Sequence, residues 1–195
     1  MNPQYKSSNT PNDSYWKDFY RTDHGLDSPS PFAETCFKEL HIRSGDKVIE
    51  FGCGNGRDSK FFSDKNAKVL AIDPNAPLHK NPDFFFMERH MNETPNISCD
   101  VVYSRFFLHA ITPSEERAYY RYIKKNATKF CFEVRSDVDA FEGDHYRRFF
   151  NKEKLMKRLD EHNFSYLLKE SRGFAKFKGE DPMVIRVFGY SNAGQ

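Results

Sequence analysis

The residues with the most chemical content lie between positions 48 and 73. Val48-Ile49-Glu50-Phe51 runs into Gly52-Cys53-Gly54-Asn55-Gly56-Arg57-Asp58, an apolar run that opens into three alternating glycines. Glycine lets backbone approach a ligand closely and takes positive φ at no steric cost. Such a turn at the carboxyl end of a strand, ahead of a helix, is where open α/β sheets bind ligands. Asp73 follows 17 residues after Gly56, and a carboxylate there can accept hydrogen bonds from both hydroxyls of a ribose. The dinucleotide fingerprint G-x-G-x-x-G would place its third glycine at position 57. Arg57 stands there, which counts against a pyrophosphate site. The plainer readings are a ligand-free loop for the glycines and a helix N-cap ahead of Pro74 for Asp73.

Further polar side chains follow the later apolar runs. In Ser104-Arg105-Phe106-Phe107-Leu108-His109, His109 is the candidate general base, because an ordinary imidazole titrates near 6.5 and keeps a neutral fraction at physiological pH. The alternative is a histidine packed under the sheet and bonded to backbone. Glu133-Val134-Arg135-Ser136-Asp137 and Asp144-His145-Tyr146-Arg147-Arg148-Phe149-Phe150 form a second cluster. Arg135, Asp137, His145, Tyr146 and Arg148 are the side-chain types a polyhydroxylated acceptor needs, with aromatic rings to stack on a sugar face. Arg147 and Arg148 could instead hold a phosphate, and a salt-bridged insert is the third reading.

The elements that must position these groups alternate along the chain. Short apolar runs at 47–51, 67–72, 84–87, 100–103 and 129–134 read as strands, with helical patterns at 57–65 and 114–125. That alternation predicts right-handed crossovers and a mostly parallel sheet with helices on both faces. Runs at 164–168 and 183–188 have no helix between them, so an antiparallel strand is expected at the sheet edge. Ser30-Pro31 predicts the start of a helix reaching about Leu40, and 152–161 predicts another. The aromatics Tyr15, Trp16, Phe19 and Tyr20 share one face of a first helix, either a lid over the ligand or a packing helix outside the sheet. Residues 1–14 read as a flexible tail and 15–195 as one domain.

Composition narrows the classes. Thirty Lys and Arg against 28 Asp and Glu leave a net charge of +2, which speaks against nucleic acid or a membrane surface as the main partner. Aromatic residues make up 16% of the 195 residues, too many for a disordered chain. No apolar run approaches the roughly 18 residues of a membrane span, and the N-terminus has no apolar signal-peptide core. Cys36, Cys53, Cys99 and Cys131 lack CxxC spacing. Reduced, buried thiols in a cytoplasmic protein are expected.

G-x-G-x-G with Glu50 two residues ahead of it, followed by the acid at Asp73, resembles motif I and its sequel in class I S-adenosylmethionine-dependent methyltransferases. The resemblance implies a Rossmann-like, seven-stranded, mostly parallel sheet with an antiparallel edge strand. It also implies S-adenosyl-L-methionine as cofactor and S-adenosyl-L-homocysteine as product. By that resemblance Glu50, Gly52, Cys53, Gly54, Asn55, Gly56, Arg57, Asp73, Pro74, Ser104 and Arg105 hold the cofactor. The Asn/Asp-Pro-Pro-aromatic tetrad of DNA-base methylating enzymes is missing after Tyr103, as is the two-glutamate loop of protein-arginine methyltransferases. The acidic ligands of catechol-type enzymes are missing too, so no metal is expected.

Several phrases narrow the resemblance over about residues 15–190: Arg105-Phe106-Phe107-Leu108-His109-Ala110-Ile111, Glu133-Val134-Arg135-Ser136, His145-Tyr146-Arg147-Arg148-Phe149 and Glu180-Asp181-Pro182-Met183. Together they resemble methyltransferase domains of bacterial surface-polysaccharide clusters and glycan-methylating enzymes of large algal viruses. The resemblance implies methylation of a terminal sugar hydroxyl, rhamnose among them, or in some members a terminal phosphate. A small-molecule or thiol acceptor, and a catalytically silent cofactor-binding protein, are the alternatives. The oligomeric state stays open.

Overall fold

The computed structural model describes residues 11, 13–21, 28–76, 82–140, 145–176 and 179–191. The expected tail falls almost wholly on residues 1–10 and 12, outside that set, as does Asp144. Seven strands pair in the order β3-β2-β1-β4-β5-β7-β6. They are β1 (Lys47–Phe51), β2 (Lys68–Ile72), β3 (Phe85–Met87), β4 (Cys99–Arg105), β5 (Ala127–Arg135), β6 (Ser165–Ser171) and β7 (Val184–Tyr190). β1 to β5 pair in parallel, and β7 alone is reversed, pairing antiparallel with β5 on one side and β6 on the other. The antiparallel pair therefore closes one edge of the sheet, with β6 outermost. Its two strands follow one another along the chain without a crossover helix, which permits the reversal.

Strand alternation divides the core into two layers. Ile49, Phe51, Val102 and Phe132 face one side, where they pack on α4 (Pro113–Asn126) and α5 (Lys152–Glu161) through Tyr119, Tyr120, Leu155 and Leu159. Val48, Val101, Tyr103 and Cys131 face the other, against Phe32, Cys36 and Phe62 of α2 (Pro31–Glu39) and α3 (Arg57–Asp64). A sheet covered on both faces is what continuous rather than alternating apolar strands encode. All four cysteines are buried free thiols.

Local signals set the helix starts. Ser30 caps α2, its hydroxyl accepting from Ala33 N–H, with Pro31 at the first helical position. Thr112 and Glu115 form a reciprocal capping box on α4. α1 (Asp13–Arg21) begins two residues inside the stretch read as tail. Among the described residues, no helix is long and apolar enough to cross a membrane.

Candidate active site

The carboxyl ends of β1, β2, β4 and β5 open on one cavity of about 860 Å³, within the roughly 300–1,000 Å³ of small-molecule sites. Its first half is the glycine turn. Gly52, Gly54 and Gly56 all have positive φ, at 72°, 54° and 76°. The turn is held to the sheet by Gly52 N–H donating to the Ile72 carbonyl at 2.8 Å, and Gly56 N–H closes back on the Cys53 carbonyl at 2.9 Å. A methyl group at Gly54 would stand 2.7 Å from Tyr20 Oη, and one at Gly52 would stand 2.8 Å from the Phe107 ring. Side chains at these positions would fill the cradle.

Asp73 stands beside the turn. Its carboxylate accepts from Gly54 N–H at 3.1 Å and from Asn75 N–H at 2.8 Å, tying the end of β2 to the end of β1. Burial pushes its carboxyl above the ordinary value, and those backbone N–H groups pull in the opposite direction. Asn75 contributes a buried Oδ1 with no partner, in the lining of the same cavity. Glu50 accepts a hydrogen bond from the Ser59 hydroxyl. Burial, and then neighbouring Asp58, push it well above the usual carboxylate range.

At the other end of the cavity, His109 is 3% exposed, and its Nδ1 is buried without a hydrogen-bond partner. Burial lowers its pKa well below the ordinary value, and the nearby Arg147, Arg135, His145 and Arg105 lower it further, so the imidazole is neutral at physiological pH. The reading of a histidine bonded under the sheet leaves that unpartnered Nδ1 unexplained. Arg105, Arg135 and Arg147 line this end. Arg105 Nε donates to Glu133 at 2.9 Å, and Arg186 Nε donates to the other oxygen of the same fully buried carboxylate at 2.6 Å. Arg135 donates to Glu180 at 2.9 Å, while its Nε is buried and unpaired. Arg147 donates to His145 Nε2 at 3.0 Å. An arginine has no acceptor, so that imidazole nitrogen carries no proton.

α1 spans both ends. Tyr15 stacks on His145, with centroids 4.0 Å apart and an interplanar angle of 16°, and Trp16 meets the same imidazole edge-on at 5.3 Å. Tyr20 rests on Gly54, and Asp13 accepts from the Asn75 amide at 3.2 Å. Of the two positions open to this helix, the structure places its aromatic face in the cavity lining.

Most of the residues expected to touch the cofactor line the cavity: Glu50, Gly52, Cys53, Gly54, Asn55, Arg57, Asp73, Pro74 and Arg105. Two do not. Gly56 is the left-handed N-cap of α3 and shapes the turn from behind. Ser104 is 1% exposed and shares a 2.9 Å hydrogen bond with the Tyr119 hydroxyl on the α4 side of the sheet. Of the expected acceptor contacts, Arg135 and His145 line the cavity. Arg148 is instead committed to buried Glu116 at 2.5 Å, which Arg158 holds from the other side at 2.8 Å. Tyr146 donates to the Ile111 carbonyl at 3.4 Å. Exposed Asp137 accepts from Asn151 at 3.1 Å, facing α5 rather than the cavity.

Asp58, which directly follows the glycine turn in the sequence and was not among the expected site residues, also enters the lining. Its carboxylate accepts from Ser30 N–H, the Ser30 hydroxyl and the Tyr103 hydroxyl at 2.7, 2.7 and 2.6 Å, joining α2, α3 and β4 behind the glycine turn. The partners lie 28 and 45 residues away, beyond any local pattern. Among the described residues, no group of three or more His, Cys, Asp or Glu is placed to hold a metal ion.

Solved structures share the fold. A Burkholderia thailandensis 1,6-didemethyltoxoflavin-N1-methyltransferase, with bound 1,6-didemethyltoxoflavin and S-adenosylhomocysteine, matches 92% of this chain and 87% of its own, with TM-score 0.71 and 18% identity. An Aquifex aeolicus SAM-dependent methyltransferase matches 91% and 97%, with TM-score 0.66 and 17% identity. The magnesium protoporphyrin IX methyltransferase of Synechocystis with bound SAM matches 94% and 86%, with TM-score 0.59 and 9% identity. No curated protein sequence matches the chain. A family profile described as a methyltransferase domain matches residues 29–176. The glycine cradle, the carboxylate of Asp73 and the unpaired Asn75 oxygen fit an adenosyl ligand. With the profile covering most of its length, the chain belongs to this family: it is an S-adenosylmethionine-dependent methyltransferase of the class I fold.

Proposed function

We propose that the protein is an O-methyltransferase acting on a sugar hydroxyl of a glycan, with His109 as general base. The observation that carries this reading is the neutral, buried imidazole of His109, its Nδ1 unpaired, in the lining of the same cavity as the glycine turn and Asp73. S-Adenosylmethionine supplies a methyl group on a cationic sulfur, and its transfer neutralises that charge. The chain's own residues then have three tasks. The glycine turn and Asp73 fix the adenosyl end. The α1 aromatics exclude water. The His109 imidazole takes the acceptor's hydroxyl proton as the new O–CH₃ bond forms, which leaves an imidazolium to be discharged to solvent. Proton transfer by a positioned base contributes about 10²–10⁴-fold, and holding the reactants in line contributes the rest.

The three arginines favour a second reading for the same cavity, in which the acceptor is a terminal phosphate on the glycan. Guanidinium groups match phosphate oxygens in geometry and charge, and a phosphate needs no base because it is already ionised. Labelled S-adenosylmethionine offered with methyl α-L-rhamnoside, a sugar monophosphate, simple phenols and small thiols separates the cases. Label on the rhamnoside, lost in His109→Gln, supports hydroxyl methylation. Label on the sugar phosphate that survives His109→Gln supports the second reading. Label confined to phenols or thiols refutes both.

A further inference from the structure

The residue between Arg105 and Phe107 is held in an unusual state. Phe106 has φ of +55°, a region that a bulky aromatic rarely enters. Strain of this kind persists where the surroundings impose it, and it concentrates at functional sites. Here the surroundings are named. Phe106 N–H donates to the Glu133 carbonyl at 2.9 Å, carrying the β4–β5 ladder one residue beyond the end of β4. The left-handed turn at that point swings the ring out of strand register and into the cavity lining. The Arg105 guanidinium carbon lies 4.4 Å from the ring centroid, and that of Arg135 lies 5.8 Å away. The imidazole of His109 stacks on the same ring, with centroids 5.3 Å apart and planes 20° from parallel.

We infer that Phe106 is a positioning residue: its strained backbone places an aromatic platform that fixes the His109 imidazole and the Arg105 guanidinium beside one another. Arg105 is anchored from behind by Glu133, so the platform connects a buried carboxylate, a cation, a ring and an imidazole in series. It does two things for His109. It covers one face of the imidazole against water, and it keeps a guanidinium close enough to oppose protonation. The other groups facing His109 are Arg135 from the end of β5 and His145 and Arg147 from the segment ahead of α5. His145 and Arg147 reach it from elements other than the platform and stay in place when Phe106 changes, whereas Arg135 also packs on the Phe106 ring.

The catalytic side of this inference rests on His109 being the base, and the test is arranged so that the two can fail separately. The full chain, with no acceptor added, is labelled in its histidine rings and titrated by NMR. Phe106→Leu keeps an apolar side chain but removes the ring, and Phe106→Tyr keeps the ring. Thermal midpoints establish that both variants fold. In the wild type and in Phe106→Tyr, His109 stays neutral at pH 6, where an ordinary imidazole is mostly protonated, and its ring protons carry the shift of a stacked aromatic. In Phe106→Leu the ring-current shift disappears. The titration then moves upward by about one unit or more, part of the roughly 3–5 units that full burial commands. Turnover on methyl α-L-rhamnoside is expected to fall by about 10²-fold, the scale of a small misplacement, with the acid limb of its pH profile following the titration.

A titration that moves without any loss of turnover leaves the platform standing and removes His109 as base. An unchanged titration and an unchanged ring-proton shift in Phe106→Leu overturn the inference. So does lost turnover with an unmoved titration, because Phe106 would then be touching substrate rather than holding His109.

Discussion

Asp73→Ala is the substitution whose outcome is most fully determined by the geometry. The carboxylate sits at the end of β2 facing the cavity, with the Gly54 and Asn75 N–H groups on separate oxygens and the Ala76 N–H directed at it as well. A ribose presents two hydroxyls to it. Hydrogen bonds to a charged acceptor are worth about 1.5–3 kcal/mol each, so losing two costs about 3–6 kcal/mol, or about 10²- to 10⁴-fold in affinity. Burial already holds the Asp73 carboxyl above its ordinary value, so the carboxylate is less well solvated than a free one. That feature leaves it less to lose on covering and strengthens its bonds to the ligand. The variant also frees Gly54 N–H and loosens the turn. A loss of at least about 10²-fold is therefore expected in calorimetric titration with S-adenosylhomocysteine. Asp73→Asn, which keeps an oxygen for one of the N–H groups, is expected to fall between wild type and Ala. If Asp73→Ala binds within about threefold of wild type while circular dichroism shows it folded, Asp73 does not hold the ribose and the assignment of the cofactor end is wrong.

Gly54→Ala forces a methyl group into the contact with Tyr20 at a residue with φ of +54°, and left-handed backbone costs a non-glycine residue about 1–2 kcal/mol. A lower thermal midpoint together with weaker S-adenosylhomocysteine binding is expected, and a variant with wild-type affinity would dissociate the turn from the ligand. Arg148→Ala removes a charge-assisted bond from buried Glu116 but leaves Arg158 in place. It should lower stability by about 1.5–3 kcal/mol in urea unfolding and leave the acceptor KM unchanged, and a raised KM would return Arg148 to the site. His109 gives a signed pH dependence. Its native pKa lies below the unfolded value of about 6.5, so its contribution is complete above 6.5. The contribution declines as pH falls from there toward the native pKa, because the unfolded chain takes up a proton that the native state resists. Between about pH 7.5 and 5.5, urea midpoints should fall more in wild type than in His109→Leu, by at most about 1.4 kcal/mol per pH unit, and parallel profiles would contradict the buried neutral imidazole.

The sheet was legible because β1, β2, β4 and β5 are short apolar runs, with helical patterns following β1 and β4, and a covered parallel sheet suits them. The glycine turn and the acid beside it were legible for a local reason. A strand, a glycine turn and an acid 17 residues on are one supersecondary unit, and their geometry follows from their spacing. The acceptor end was less so. Strands buried on both faces do not say which face a polar residue takes: Ser104, expected among the cofactor residues, pairs with Tyr119 beneath the sheet. Arg148 and Arg147 are neighbours of one type, yet one reaches Glu116, 32 residues back, and the other reaches His145. Spacing carries no information about a partner that far away. Phe106 is a similar case: an aromatic in a Phe-Phe pair gives no sign of left-handed backbone until its neighbours are in place.

Glu133 draws a consequence from where it sits. One carboxylate on β5 is shared between Arg105 on the parallel neighbour β4 and Arg186 on the reversed neighbour β7. The seam where the sheet changes direction and the wall of the acceptor cavity thus rest on a single buried charge. Removing Arg105 takes one charge-assisted bond from that carboxylate and leaves Arg186 to hold it alone, at a cost of about 1.5–3 kcal/mol. Arg105 is therefore not free to drift as a specificity residue: exchanging it to suit a different acceptor strikes at the seam itself. Diversification toward new acceptors should proceed through positions such as Arg135, His145 and Arg147, which the sheet does not depend on, while Arg105 changes only in concert with β7.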